Sequence, residues 1–221
     1  MLKRLAHAAL GVTLILSPAL SPESHAQDKP AASPNTWVIS PLDSFANFTV
    51  KHLMVSTVHG SMGGLKGTVI YDPQEPSKDS VDATIDVNTL NTGVEKRDDQ
   101  VRTDYFEVKK FPVIHFKSKQ VFKAGPGRLR MTGDLTIKGT TKQIVLEIDG
   151  PSPVVKDAQG RSKIGLTATA KISRKDFGIV GTALDGAVET GGIIVSDEVS
   201  IELDIEIMPP SQAAIVGPAA H

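Results

Sequence analysis

The sequence predicts an all-β fold, a single antiparallel β-barrel of about eight strands with one short helical insert at its rim. Two observations carry that prediction. Apolar and polar residues alternate with a period of two over segment after segment between Trp37 and Ile207. One stretch, Asn91 to Ser118, abandons that rhythm, crowds charged residues together and reads as a short helix. In a closed sheet such an insert covers one opening.

The chain has 221 residues and no cysteine. Its start reads as a secretory signal, residues 1–26: Lys3 and Arg4 are basic, Ala8 to Leu16 is an apolar run, and Ser24-His25-Ala26 is a small-residue cleavage site. The run falls well short of the ~20 residues that span a bilayer, and Pro18 and Pro22 follow it. Without cysteine there is no lipid-modified anchor at the cleavage site and no disulfide framework. The expectation is a soluble periplasmic or secreted protein. Beyond the signal stand 22 basic and 24 acidic residues, a formal charge of −2; a nucleic-acid surface would need a basic stripe. Residues 27–35 and 209–221 read as disordered ends, and 36–208 as one barrel domain.

Within the domain, Trp37 and Ile39 point one way before Pro41 and Asp43 mark a turn. Ala46, Phe48, Val50 and His52 then share one face, opposite Phe45 and Lys51. His52 continues an apolar line; it reads first as a hydrogen-bonded core residue and second as a ligand contact or base. Val58, Gly60 and Met62 keep even numbering, whereas Leu65, Gly67, Val69 and Tyr71 are odd. A β-bulge at Gly63-Gly64 would repair the phase and bend the strand; a hairpin turn there is the alternative. Val81, Ala83, Ile85 and Val87 alternate cleanly with polar residues.

In the insert, Thr92 with Glu95 three residues on has capping-box spacing, and Val94, Arg97 and Val101 make a thin apolar stripe suited to lying across a rim. Thr103 is placed to cap a further turn ending at Tyr105 and Phe106, and Phe111-Pro112 stops the helix. Ile114, Phe116 and Ser118 open the next strand. Leu129 to Ile137 and Ile144 to Ile148 flank a tight turn at Lys138-Gly139-Thr140-Thr141. A loop from Pro151 to Gly160 precedes Ile164, Leu166, Ala168, Ala170 and Ile172, and Val199 to Ile207 is pure period two.

Apolar residues inside and charged ones outside describe a water-soluble barrel; a membrane barrel reverses this. The interior residues include many small ones, such as Ala46, Gly60, Gly67, Ala83, Gly133, Ala168 and Ala170, which either leave room for a slender apolar guest or sit opposite large neighbours. There is no cysteine nucleophile, no Gly-x-Ser-x-Gly, no phosphate loop and no His-Glu-x-x-His. His52, His59 and His115 are dispersed, so spacing does not support a metal site, and no catalytic residue, metal or cofactor is expected. Arg97, Asp98, Asp99 and Arg102 read either as a solvated helix face or as a polar gate that orients the head group of an amphiphile.

Ordered motifs from Trp37 to Ile207 resemble the YceI-like family. They are Val50-Lys51-His52-Leu53 with Val58-x-Gly60, Arg97-Asp98 with Val101-Arg102, Lys110-Phe111-Pro112 with Phe116-x-Ser118, Gly133-Asp134-Leu135-Thr136-Ile137 with Gly139 and Thr141-Lys142, and Arg174-Lys175-Asp176-Phe177-Gly178. The resemblance implies a lipocalin-like barrel in the periplasm that binds polyisoprenoid or similar lipids and does not catalyse. Cavity walls would include Phe48, Val50, His52, Val58, Met62, Leu65, Ile85, Ile114, Phe116 and Phe177, the last on resemblance alone. Arg97, Asp98, Val101 and Arg102 would form the mouth. Gln100 stands where the family usually has histidine, and Met62 where phenylalanine is common.

The expected ligand is an isoprenoid or other long-chain amphiphile, of the quinone or polyprenyl phosphate class, held for transport or storage. No nucleic acid and no stable membrane insertion are expected, and the oligomeric state is open, a dimer included. The alternatives are a lipid-modifying hydrolase or isomerase using His52 or His115, and a stress-related interaction module with a filled barrel.

Overall fold

A computed structural model describes residues 35–186 and 194–213. The signal at 1–26 lies outside the described residues, as do nearly all of the N-terminal segment at 27–35 and the last part of the tail. Two expectations about the ends are corrected at their inner edges. The Asn35 carbonyl accepts the Tyr71 N–H at 2.9 Å, so residue 35 already belongs to the fold. The tail starts with a helical turn, Pro210–Ala213, because proline is well placed at a first helical position and Gln212 Oε1 accepts the Ser162 N–H at 2.9 Å.

Period-two segments become strands because their alternating apolar face can be buried while the other meets water. The strands are β1 (Thr36–Ile39), β2 (Phe45–His52), β3 (Ser56–Met62), β4 (Lys66–Ile70), β5 (Ser80–Asp86), β6 (Val113–Gly125), β7 (Arg128–Ile137), β8 (Thr140–Asp149), β9 (Val155–Lys156), β10 (Ser162–Ser173) and β11 (Glu198–Met208). All ladders are antiparallel, and β11 pairs with β10 on one side and with β1 and β2 on the other. The barrel therefore closes through β1, β4, β5, β6, β7, β8, β10 and β11, eight strands without a free edge.

Two places depart from straight strands. The chain kinks between β1 and β2, where Ser40 and Ser44 are buried: the Ser40 N–H donates to the Glu206 carbonyl at 2.8 Å, and the Glu206 N–H donates to Ser44 Oγ at 3.0 Å. The partner strand breaks at the same level. Gly63–Leu65 separate β3 from β4, with Gly64 at φ 64°, and β3 pairs with β2 whereas β4 pairs with β1 and β5. The phase slip is therefore a break matched to the neighbouring kink, and it is not a hairpin. A bulge does occur in β6 between Ser118 and Gln120, which turns Val121 inward. The tight turn is as expected, with Lys138 at φ 50° and Gly139 at φ 72°.

Strand direction sorts the loops into two ends. The β2–β3 loop, the insert between β5 and β6, the β7–β8 turn and the β10–β11 connection lie at the insert end; the β4–β5, β6–β7 and β8–β10 connections lie at the other. Outward-facing charges pair along the wall, as in Arg128–Asp149, Arg130–Glu147 and Lys171–Glu198, which a lipid-facing wall would not tolerate. No helix among the described residues is long and apolar enough to cross a membrane.

Candidate functional site

The interior of the barrel encloses a cavity of about 570 Å³ whose lining is almost wholly apolar. The barrel strands contribute mainly alternate residues, for example Ala46, Phe48 and Val50 from β2 and Ile201, Leu203 and Ile205 from β11. The pleat puts successive side chains on opposite faces, so the sequence parity fixes the wall. The cavity reaches both ends: His52 and Val195 border it at the insert end, Tyr71, Asp79 and Pro151 at the other.

The insert end is built as a cap. Helix α1 (Glu95–Gln100) continues into a π-helical turn, Val101–Tyr105. Its first turn has no side-chain cap, because Thr92 is used elsewhere: its N–H and hydroxyl both donate to Asp98 Oδ1, at 2.9 and 2.5 Å. Asp98, 5% exposed, is thereby satisfied inside the loop. Arg97 Nε donates to Thr92 Oγ1 at 2.7 Å, and Arg102 clamps the Leu90 carbonyl at 2.8 Å and Asp99 at 2.6 Å. Thr103 is likewise no cap; it lies inside the turn with its hydroxyl on the Asp99 carbonyl. Val94 is exposed, and the stripe that faces the cavity is Arg97, Val101 and Tyr105, with Phe106 beside it.

The β10–β11 connection completes this end. Arg174, 3% exposed, donates to the carbonyls of Ile179, Ser196 and Val195 and to Asp185 Oδ1 at 2.7–3.0 Å. Those bonds to Arg174, with the Gly181 N–H, hold the Asp185 carboxyl far below the usual carboxylate range. A Cβ at Gly181 would lie 2.7 Å from Tyr105 Cε1, so the insert packs directly on this segment. Lys138 joins the parts, pairing with Glu107 at 2.7 Å and donating to the Gly178 carbonyl at 3.1 Å.

Residues 37–207 match the YceI-like domain. The chain belongs to the YceI-like family. It is similar to Protein YceI of Salmonella newport, with 36% identity over 158 residues, 70% of this chain and 80% of that one. BcnA of Burkholderia cenocepacia is similar in structure, with a TM-score of 0.63, 25% identity, and coverage of 76% of this chain and 98% of that one. The Campylobacter jejuni YCEI protein has a TM-score of 0.58 and 30% identity, over 72% and 89% of the two chains. A polyisoprenoid binding domain from Saccharophagus degradans shares the fold at 15% identity, with a TM-score of 0.58 and coverage of 79% and 98%.

Against this YceI-like frame the expected site residues divide. Phe48, Val50, His52, Val58, Met62, Leu65, Ile85, Ile114 and Phe116 all border the cavity. Phe177 does not: it belongs to the β10–β11 connection and at 2% exposure is packed into the core. Of the mouth residues Arg97 and Val101 reach the cavity, whereas Asp98 and Arg102 are turned into the insert's own bonding. Gln100 and Met62, where the sequence departs from the family's usual residues, both border it. The His52 ring has no hydrogen-bond partner among the described residues, so the expectation of a bonded core histidine is corrected. His115 sits on the outer wall, 2.7 Å from Asp82 Oδ1, and that bond lowers the Asp82 carboxyl.

Sequence reasoning missed the polar points Tyr71, Asp79, Tyr105 and Arg174. Burial pushes the Asp79 carboxyl up from 3.8 to about 6. Parity pointed Tyr71 inward and flagged its position; Asp79 lies in a loop, where parity says nothing.

Proposed function

We propose that this chain is a non-catalytic carrier or storage protein for an isoprenoid-type lipid of the quinone or polyprenyl phosphate class, working in the periplasm after export. The observation that carries the reading is the cavity: about 570 Å³, running along the barrel and walled mostly by apolar side chains. Such a space suits a flexible apolar chain, because each buried methylene contributes about 0.8 kcal/mol and a dry apolar hollow offers water no partners. The polyisoprenoid binding domain of the same fold points in the same direction.

The rival readings lack equivalent support. An enzyme built on His115 would have to work from the outer wall, where the ring is committed to Asp82. His52 reaches the cavity without a carboxylate to orient it among the described residues. A filled-barrel interaction module is at odds with the volume.

Uptake of a fluorescent polyprenol analogue tests the proposal. The wild-type chain should bind it with saturable, stoichiometric fluorescence, and Ala168→Trp, which places a large ring where a small side chain lines the cavity, should lose binding about tenfold or more while keeping its far-UV spectrum. Equal binding by both proteins, or none by the wild type, would overturn it. His52→Ala should leave uptake largely intact.

A further inference from the structure

The β2–β3 loop follows directly on the cavity wall. Val50 and His52 line the cavity, and from His52 the chain passes straight into a three-residue loop of large apolar side chains: Leu53, Met54 and Val55 are 39, 58 and 84% exposed. Leu53 and Met54 sit at φ 50° and 59°, a left-handed conformation that L side chains enter at a cost and for which Asn-Gly is the ordinary choice. Turn chemistry therefore does not account for these residues. The backbone at the start of the loop is anchored, with the Leu53 N–H donating to the Ile194 carbonyl at 2.8 Å.

Other loops at the same end repeat the pattern. Val94 ahead of α1 and Val180 beyond β10 are each about half exposed. Lys51, Lys96 and Lys109 are exposed at this end and have no carboxylate partner among the described residues; Lys51 donates to Thr57, while exposed Lys110 lies over the Phe111 ring and interacts with the Glu107 carboxylate. The carboxylates of Glu95, Asp104 and Asp176 share the end, so the lysines add modest attraction and the apolar tip carries the contact.

We propose that the insert end is a reversible docking surface for a lipid bilayer. The Leu53–Val55 tip enters the head-group layer beside the cavity, and lipid passes between bilayer and barrel from that side. Apolar points dispersed over separate loop tips, with lysine stems that can lie along them and lift their charge to the phosphates, fit an interface of this kind. The few side chains involved suit a contact that forms and releases. The proposal rests on the lipid-carrier reading.

Sedimentation with vesicles of phosphatidylethanolamine and phosphatidylglycerol tests it, using the wild type, a Met54→Asp, Val55→Asp double variant, and a Leu53→Asn, Met54→Gly double variant. The last should unfold at a higher temperature than wild type, since it relieves the left-handed residues, yet it should lose vesicle association with the first by about tenfold. Transfer of the fluorescent polyprenol analogue from vesicles should slow to match, while uptake from detergent micelles stays at the wild-type level. Variants that sediment and transfer like wild type overturn the proposal. So does a wild-type dimer, seen by light scattering, that either variant dissolves, since the tip would then be a self-interface. Wild-type protein that takes the probe from micelles but ignores vesicles overturns docking alone; wild-type protein that takes no probe from any source overturns the carrier reading first and docking with it.

Discussion

The glycines of the inner face show why single residues decide how much of this barrel is hollow. A Cβ at Gly60 would lie 2.2 Å from Phe48 Cζ, and one at Gly133 would lie 2.4 Å from Phe116 Cζ and 2.7 Å from the Lys117 carbonyl oxygen. Small residues here face aromatic rings that occupy the space a side chain would take, one of the two readings the composition left open. Gly133→Ala should therefore cost about 1–3 kcal/mol, seen as a drop of several degrees in Tm, and Phe116→Leu in the same chain should recover part of the loss. Equal stability of Gly133→Ala and wild type would contradict the contact. Asp79 supplies a pH test. Its folded carboxyl, raised by burial to about 6, binds its proton more tightly than in the unfolded chain, where 3.8 is ordinary. Its contribution is most favourable at low pH and is lost as pH rises between those two values. Asp79→Asn should remove that share of the slope in urea denaturation and gain relative stability above pH about 6; parallel wild-type and variant curves would refute the assignment.

At the scale of elements, the strands were readable because burial of one face enforces period two, and the insert was readable because it breaks that period. Its interior was not. Thr92 and Glu95 have the spacing of a capping box, but a buried carboxylate three residues further on competes for the same threonine, and Asp98 won both its donors. Burial of Asp98 could not be seen in a run of charges that also reads as a solvated face. The kink at Ser40 and Ser44 was equally hidden, since its cause is Glu206, more than 160 residues away in sequence. Removing the carboxylate with Asp98→Ala leaves the Thr92 N–H and hydroxyl unsatisfied, and should destabilise the chain by about 1–3 kcal/mol. Hydrogen exchange should locate the loosening in residues 92–106 and leave β7 and β8 protected. Uniform loss of protection would show instead that the insert is part of the global core.

For the whole molecule, closure by eight strands explains both the stability of the wall and the space inside it. A barrel of this strand number either fills itself or holds one small ligand, and here Arg174, Lys138 and Tyr105 brace the insert end while the cavity along the axis reaches both ends. Which of those outcomes applied was not legible in the sequence, because it depends on how rings and small residues interlock across strands that are distant in the chain. Native mass spectrometry of protein purified from its own source tests the central claim most directly. A non-covalent adduct should appear whose mass and fragmentation identify an isoprenoid-type lipid, released when the barrel is unfolded. Protein that flies consistently at its bare mass and acquires nothing on incubation with isoprenoid lipids would contradict it.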